Sequence, residues 1–353
     1  MTPSPTNSIL TVDLHAVAAN YATLCQVAGG AEVAPVVKAD GYGLGAAPIA
    51  RRLMAEGART FFVARVAEGV ALRSALGPSP MIYVLDGCPD GVSSDLQSAE
   101  LAPVLNSPAQ IREWAKAGGG HAALMLDTGL NRLGLSEADA GSLMGTAWPL
   151  VMSHLACADQ PQHWMNAQQR TCFDSASVCF PGARRSLSAS DGLFLGPEFV
   201  FDMVRTGICL YGGGPEGRPD PRIQSVVTFE APILQIRTLE PGDTVGYGAA
   251  FTATRTTQAA VVAAGYADGV LRSSARQAYA SLAGRRCDML GRVSMDLTVF
   301  DVTDMPEAKA GAMIQLVGPD VPVDTAAAFA GTIAYELLTR LGARAERHYL
   351  GKA

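Results

Sequence analysis

Eight short apolar runs, spread through the first 210 residues, constrain this chain more than any other feature of it. They fall at 33–37, 60–64, 81–85, 101–105, 122–126, 150–155, 185–190 and 204–210. Helical or turn-like stretches separate most of them, and the clearer helices span 45–56, 68–75, 107–117 and 164–178. Runs of this length suit strands covered on both faces. Strands alternating with helices make parallel βα units, and eight is the number that closes a barrel. The expected fold class is therefore α/β, a (β/α)8 barrel of the TIM type. The thinnest connection is the one between the last two runs, a short helix around 197–201. Asp13 is placed to cap a helix that begins at Leu14. Ser107-Pro108-Ala109-Gln110 reads as an N-cap, a proline at the first helical position and a capping-box glutamine.

The texture changes at 211–221, a stretch rich in glycine and proline with no periodicity. It is the best boundary candidate. Beyond it, 225–237, 259–264, 287–293, 297–302 and 313–317 read as strands joined by turns such as Pro241-Gly242-Asp243, and 332–341 reads as one helix. The expected organisation is a barrel domain over 1–220 and a mostly-β domain over 221–353, with the first residues able to pack on the β domain.

Composition narrows the function. The net charge is −6 with no basic run, which argues against nucleic acid as a partner. The amino terminus shows neither a basic segment nor an apolar core, and no apolar stretch is long enough to span a bilayer, so a cytoplasmic protein without a membrane partner is expected. Seven cysteines without a C-x-x-C pair suggest neither a disulfide frame nor a zinc site, and no metal is expected.

The chemistry centres on Lys38. Pro35-Val36-Val37 leads into it, and Gly41, Gly43 and Gly45 mark a tight turn just after it. The lysine thus stands at the carboxyl end of a buried strand. A buried ammonium is costly; burial lowers its pKa, and a neutral amine attacks carbonyls to form Schiff bases. A lysine that merely snorkels outward fits the same position.

Eight motifs together resemble the bacterial alanine racemases. They are Val-Val-Lys-Ala-Asp-Gly-Tyr-Gly at 36–43, Asp-Thr-Gly-Leu-Asn-Arg-Leu-Gly at 127–134, Ser-His-Leu-Ala-Cys-Ala-Asp at 153–159 and Val-Arg-Thr-Gly-Ile-Cys-Leu-Tyr-Gly at 204–212. Further on come Val-Gly-Tyr-Gly-Ala-Ala-Phe-Thr-Ala at 245–253, Gly-Tyr-Ala-Asp-Gly at 265–269, Gly-Arg-Val-Ser-Met-Asp at 291–296 and Thr-Ile-Ala-Tyr-Glu at 332–336. The resemblance runs from Asp13 to Arg344 and implies a pyridoxal 5'-phosphate (PLP) enzyme. Its expected activity is the interconversion of L-alanine and D-alanine, which supplies D-alanine for peptidoglycan.

The same resemblance implies the roles. Lys38 would carry PLP and serve one face of the substrate Cα. Tyr247 would be the second base on the other face, contributed by the second subunit of a homodimer with shared active sites. A phenol ordinarily ionises near pH 10, so a tyrosine base needs cations beside it. Arg205 would face the pyridine nitrogen, with His154 hydrogen-bonded to it. Ser190, Gly207, Ile208, Tyr42 and Tyr335 would hold the phosphate, where barrels commonly bind one. Arg132 would meet the cofactor's phenolic oxygen and the substrate carboxylate, and Tyr266, Met295 and Asp296 would stand at the substrate mouth. Taken singly, Tyr247 and Asp296 also read as turn residues, and His154 and Tyr335 as core residues.

Two departures from the family pattern stand out. Many relatives carry a carbamylated lysine seven residues before the arginine that corresponds to Arg132; here that position is Met125, so an anion such as chloride, or a fixed water, is expected to orient Arg132. Ala189-Ser190 stands where many relatives have Asn-Ser. Racemisation of another amino acid, a non-catalytic PLP barrel and a decarboxylase of related architecture are the alternatives. The β domain and Tyr247 argue against the second, and Arg205 against the third, which tends to pair the pyridine nitrogen with a carboxylate.

Overall fold

A computed structural model of the chain describes residues 7–274, 277–342 and 344–352. The fold divides into two units: Val17–Leu210, and the residues up to Ala16 together with Tyr211–Lys352.

The first strand, β1 (Ile9–Asp13), belongs to the second of these units. The first unit is built on β2 (Glu32–Pro35), β3 (Thr60–Val63), β4 (Met81–Val84), β5 (Ala102–Leu105), β6 (Ala123–Met125), β7 (Leu150–Met152), β8 (Arg184–Ser186) and β9 (Met203–Thr206). These fall at the eight expected runs; each is shorter than its run, and β2, β8 and β9 begin one residue before it. Strands β3 to β8 pair in parallel in sequence order. The ring then closes: β9 pairs in parallel with β2, Val36 bridges to Phe62 in β3, and the amides of Asp202 and Arg205 donate to the carbonyls of Arg185 and Ser188 at 3.0 Å each. Every residue of β3, β5 and β9 is buried, as expected of strands covered by side chains within and helices without.

Local signals explain where the helices begin. Asp13 Oδ1 accepts from the amides of His15 and Ala16 (2.8 and 3.2 Å). Ser107 accepts from the Gln110 amide (3.3 Å), and Pro108 opens the helix Pro108–Lys116. Gln110 departs from the expected capping box. Its Oε1 accepts from the Asn106 amide (2.9 Å) and its Nε2 donates to the Asp86 carbonyl (3.0 Å), so it laces the loop after β5 to the loop after β4.

The second unit holds β1 with β10 (Val227–Leu239), β11 (Thr244–Val245), β12 (Phe251–Thr252), β13 (Thr257–Val262), β14 (Tyr279–Leu282), β15 (Arg285–Leu290), β16 (Thr298–Asp301), β17 (Met313–Val317) and β18 (Glu346–Leu350). Strand β10 organises it. Its first half pairs with β1 and β17, its second half with β13, and the register shifts between Ile233 and Gln235. The bulge lets one long strand turn a corner and serve both parts of the sheet. Strands β14 and β18 were not expected from the sequence: β14 carries a serine among its four residues, and β18 is charged and partly exposed. The expected helix over 332–341 spans Ala334–Arg340. Among the described residues no helix is long and apolar enough to cross a membrane.

The Ser107 cap gives a direct check. Ser107→Ala should lower the unfolding free energy by about 1 kcal/mol, read as a lower denaturation midpoint with an unchanged denaturant slope.

Candidate active site

In the first unit the chemistry-bearing side chains gather beyond the carboxyl ends of the strands, where barrels place their active sites. Lys38 stands three residues past the end of β2 rather than on it, and is half-buried. The chain then makes a left-handed turn. Ala39, Asp40, Gly41 and Tyr42 all have φ between 52 and 61°. Such backbone costs a side-chain-bearing residue roughly 1–2 kcal/mol, and hydrogen bonds hold it in place. The Gly41 amide donates to Val37 O (2.9 Å), Gly43 to Ala39 O (2.7 Å) and Gly45 to Asp40 O (2.8 Å). Asp40 Oδ1 accepts from the Ala46 amide at the start of the next helix (2.9 Å). Burial is the main cause that lowers the Lys38 pKa; Arg132 lowers it further, while Glu68 and Asp86 oppose.

Arg205 lies in β9 and is only 4% exposed. Its guanidinium donates to Ser186 O (2.9 Å), Ser186 Oγ (2.5 Å), Ser153 O (2.5 Å) and Leu187 O (3.2 Å). Among the described residues it forms no salt bridge, so neutral acceptors alone compensate its charge. Burial lowers its pKa to about 9, still above neutrality. Arg205 Nη2 also lies 3.4 Å from His154 Nδ1. A guanidinium only donates, so Nδ1 accepts and the imidazole proton sits on Nε2. Crowding by protein, then the cations Arg205, Arg132 and Lys38, hold the His154 pKa down to about 3.

A second cluster surrounds Ser190. Its Oγ accepts from the amides of Gly207 (2.9 Å) and Cys209 (3.4 Å), on either side of Ile208. The buried Tyr42 hydroxyl lies against Gly207 so closely that a Cβ there would collide with it. Glycine is thus required at 207 for close approach, although its φ is unremarkable. Arg132 sits on an exposed loop between Asp127 and Leu135. Asp127 Oδ1 ties that loop to the amides of Gly129 (2.9 Å) and Asn131 (3.1 Å), and the Leu135 amide closes it on Met125 O (2.8 Å). Met125 itself is buried in β6.

The remaining candidates lie in the second unit, where three loops are laced together. Tyr247 occupies a tight turn and is 70% exposed. Gly246 and Gly248 in that turn pack near Arg292. The Tyr266 and Ala267 amides donate to Ser294 O (3.0 Å) and Met295 O (2.9 Å), so Tyr266, Met295 and Asp296 share one end of this unit. Asp296 Oδ1 accepts from Arg344 Nη1 (2.7 Å), and the same guanidinium grips the buried Asp268 (2.7 and 2.9 Å). Tyr335 is half-buried at the start of its helix, ahead of the buried Leu337 and Leu338.

Three participants escaped the sequence reading. Glu68 accepts from the Ala39 amide, next to Lys38 (2.8 Å). Gln169, fully buried, donates to His154 O (2.9 Å) and Thr128 Oγ1 (3.2 Å) and accepts from the Ala156 amide (2.8 Å). Arg344 is the third. The available signals were a carboxylate in a helix's first turn, a polar residue on an otherwise buried helix face, and an arginine beyond the last helix.

Comparison with known proteins settles the family. Residues 12–215 match the alanine racemase N-terminal domain and residues 226–349 the alanine racemase C-terminal domain. The chain belongs to the alanine racemase family. It is 47% identical to an alanine racemase of Rhodospirillum rubrum, over 98% of this chain and 96% of the relative. It is 44% identical to a catabolic alanine racemase of Mesorhizobium japonicum, over 98% and 93%. A crystal structure of the alanine racemase of Bartonella henselae, with covalently bound pyridoxal phosphate, superposes with a TM-score of 0.91 at 34% identity, covering 99% of this chain and all of that one. The expected family and fold class, and an amino-acid racemase activity, are thereby borne out.

The His154 environment predicts an acid limb in stability. Its folded pKa lies below the unfolded value near 6.5, so the stabilisation is complete above pH 6.5 and is lost as pH falls toward 3. The expected slope is about 1.4 kcal/mol per pH unit. His154→Gln should flatten that limb in denaturation midpoints measured from pH 7 to 4.

Proposed function

We propose that this chain interconverts L-alanine and D-alanine with PLP, using Lys38 and Tyr247 as the two proton carriers. The observation that carries the reading is the barrel-mouth cluster, in which an amine of lowered pKa, a buried carboxylate-free guanidinium and an amide–hydroxyl cradle stand beyond the ends of one ring of strands. The cradle fits the cofactor. Ser190 Oγ, held by the Gly207 and Cys209 amides, and the Tyr42 hydroxyl lie together beside Gly207, where a Cβ would strike that hydroxyl, and the helix Ser190–Leu193 begins there. Amides and hydroxyls with little negative charge are what a phosphate needs. Tyr335 joins them in this reading.

When bound, PLP supplies the electron sink that makes an alanine Cα proton acidic. Lys38 would hold the cofactor through its amine, and the same amine would take or return the proton on one face of Cα. The partner subunit's Tyr247 serves the other face, in a homodimer with shared active sites. Two carriers are needed because a single base on one face returns the same enantiomer. Arg205 would face the pyridine nitrogen and, keeping its own proton, would give that nitrogen none. His154, neutral and accepting through Nδ1, fixes the guanidinium in place. Arg132 meets the cofactor's phenolic oxygen and the substrate carboxylate, with an anion such as chloride, or a fixed water, in the place that Met125 cannot fill. Tyr266, Met295 and Asp296 border the substrate mouth, and the Arg344 bridge from Asp296 to Asp268 stiffens it. In the cell the enzyme works in the cytoplasm and supplies D-alanine to peptidoglycan precursors.

A chiral assay tests the reading. Protein loaded with PLP and given L-alanine should form D-alanine, and absence of the product rejects the proposal. Tyr247→Phe should abolish net racemisation while Lys38-face exchange of the D-alanine α-hydrogen in heavy water partly survives; unchanged turnover removes Tyr247 from the mechanism. Gly207→Ala, which drives a methyl group into the Tyr42 hydroxyl, should weaken PLP binding at least tenfold by absorbance titration.

A further inference from the structure

The lysine turn has an anchor that the catalytic reading leaves unused. Glu68 is the third residue of the helix Val66–Leu76, which follows β3. Its Oε2 accepts from the amides of Ala64 (2.8 Å) and Arg65 (3.2 Å), closing the loop at the end of β3. Its Oε1 reaches across to the Ala39 amide at 2.8 Å. One carboxylate therefore ties the residue after Lys38 to the neighbouring strand's loop. Ala39 is also the first of the residues held at positive φ, at 52°. A backbone conformation of this kind persists only when its surroundings over-determine it. The Ala39 amide cannot be served by the preceding strand, because the chain has already left the sheet.

We propose that Glu68 is a positioning residue for the Lys38 amine, holding the left-handed turn that aims it and placing a fixed negative charge near it. This deepens the function proposed above and rests on it. An ordinary helix-capping glutamate would stop at the amides of its own loop; this one divides its two oxygens between its own loop and the lysine turn. Its charge matters because the other groups facing Lys38 are divided in sign. Arg132 disfavours the ammonium, Glu68 and Asp86 favour it, and the neighbouring His154 is neutral. Removing Glu68's charge leaves Asp86 as the remaining carboxylate that offsets burial and Arg132.

Glu68→Gln and Glu68→Asp separate the two duties. A glutamine has one acceptor oxygen for two opposed sets of amides, and it has no charge. An aspartate keeps the charge but falls short of Ala39. In Glu68→Gln, kcat should fall roughly 10- to 100-fold, the scale expected when a reacting group is misplaced by about an ångström. KM for alanine should change little, and the visible absorbance of the lysine–cofactor linkage should titrate at a lower pH than in the parent. Glu68→Asp should lose kcat without that titration shift. Hydrogen exchange of the Ala39 amide in the full-length protein, measured without substrate, should accelerate in both variants while barrel-strand amides stay protected.

Parent-like kcat and titration in Glu68→Gln overturn the proposal. So does unchanged exchange at Ala39, or a loss of kcat matched by exchange throughout the barrel, which marks a general loss of stability. Failure of the parent protein to racemise alanine would reject the proposed function instead, and the Ala39 exchange would still report whether Glu68 holds the turn.

Discussion

A guanidinium buried without a carboxylate is the constraint on which the barrel mouth depends. Removing a charge from water costs several kcal/mol even after relaxation, and Arg205 meets that cost with carbonyls and a hydroxyl from Ser153, Ser186 and Leu187. Those acceptors lie at the ends of β7 and β8, so the arginine is a tie across three neighbouring strands as well as a charge. Its field reaches further. It is the second cause, after crowding, of the low His154 pKa, and a neutral His154 can then offer Nδ1 as an acceptor. Two cations in contact would repel; a cation and a neutral ring do not.

The supports behind these groups are hydrogen-bonded in the same economical way. Ser153 Oγ donates to Leu126 O and lies 2.8 Å from Thr128 Oγ1, which Gln169 Nε2 approaches in turn. The chain of bonds links β6, β7 and the helix Trp164–Ser177 without an ionised group. The lysine turn is the opposite case. There a carboxylate, Glu68, fastens strained backbone, and the strain is spread over a ladder of amides instead of resting on one glycine.

How much of this was legible follows from what each signal measures. Most of the barrel strands were readable because both their faces are buried, so apolar runs mark them directly; β8, Arg184-Arg185-Ser186, is the exception, located by the apolar residues after it. Ser107 and Asp13 were readable because a cap acts within its own turn of chain. Gln110 carried the right local signature and does something else, since Asn106 and Asp86 are brought to it by tertiary structure. Strand β18 is a charged edge strand, and β14, though paired on both sides, is only four residues long with a serine among them, so neither makes an apolar run. Lys38 stood out from its place after a buried run and gained its role from motif resemblance, Arg205 and Ser190 came from that resemblance alone, and the left-handed turn was foreshadowed by three alternating glycines. Its positive φ at Ala39 and Tyr42 was not, because neither residue type favours the left-handed region, whereas Asp40 is of a type that visits it. Glu68 was hidden for the same reason as Gln110: its sequence neighbours explain only half of what it binds.

The local charge at the barrel mouth runs against the charge of the whole. The chain carries −6 overall, yet Lys38, Arg132 and Arg205 act on one another or on His154 through space at a single end of the barrel. Each lowers the proton affinity of a neighbour, so the cluster is unfavourable to itself when empty and gains whenever an anion enters. The carboxylate of an amino acid is such an anion, and on the proposed reading it meets Arg132, while the phosphate of the cofactor lies apart in the Ser190 cradle. Burial first, and then Arg132, lower the pKa of Lys38, the group that gives up a proton on the proposed reading, whereas Arg205 stays protonated because its free-state pKa is so high. On that reading one end of the barrel divides two roles, a base that titrates and a charge that does not, between two side chains of the same sign.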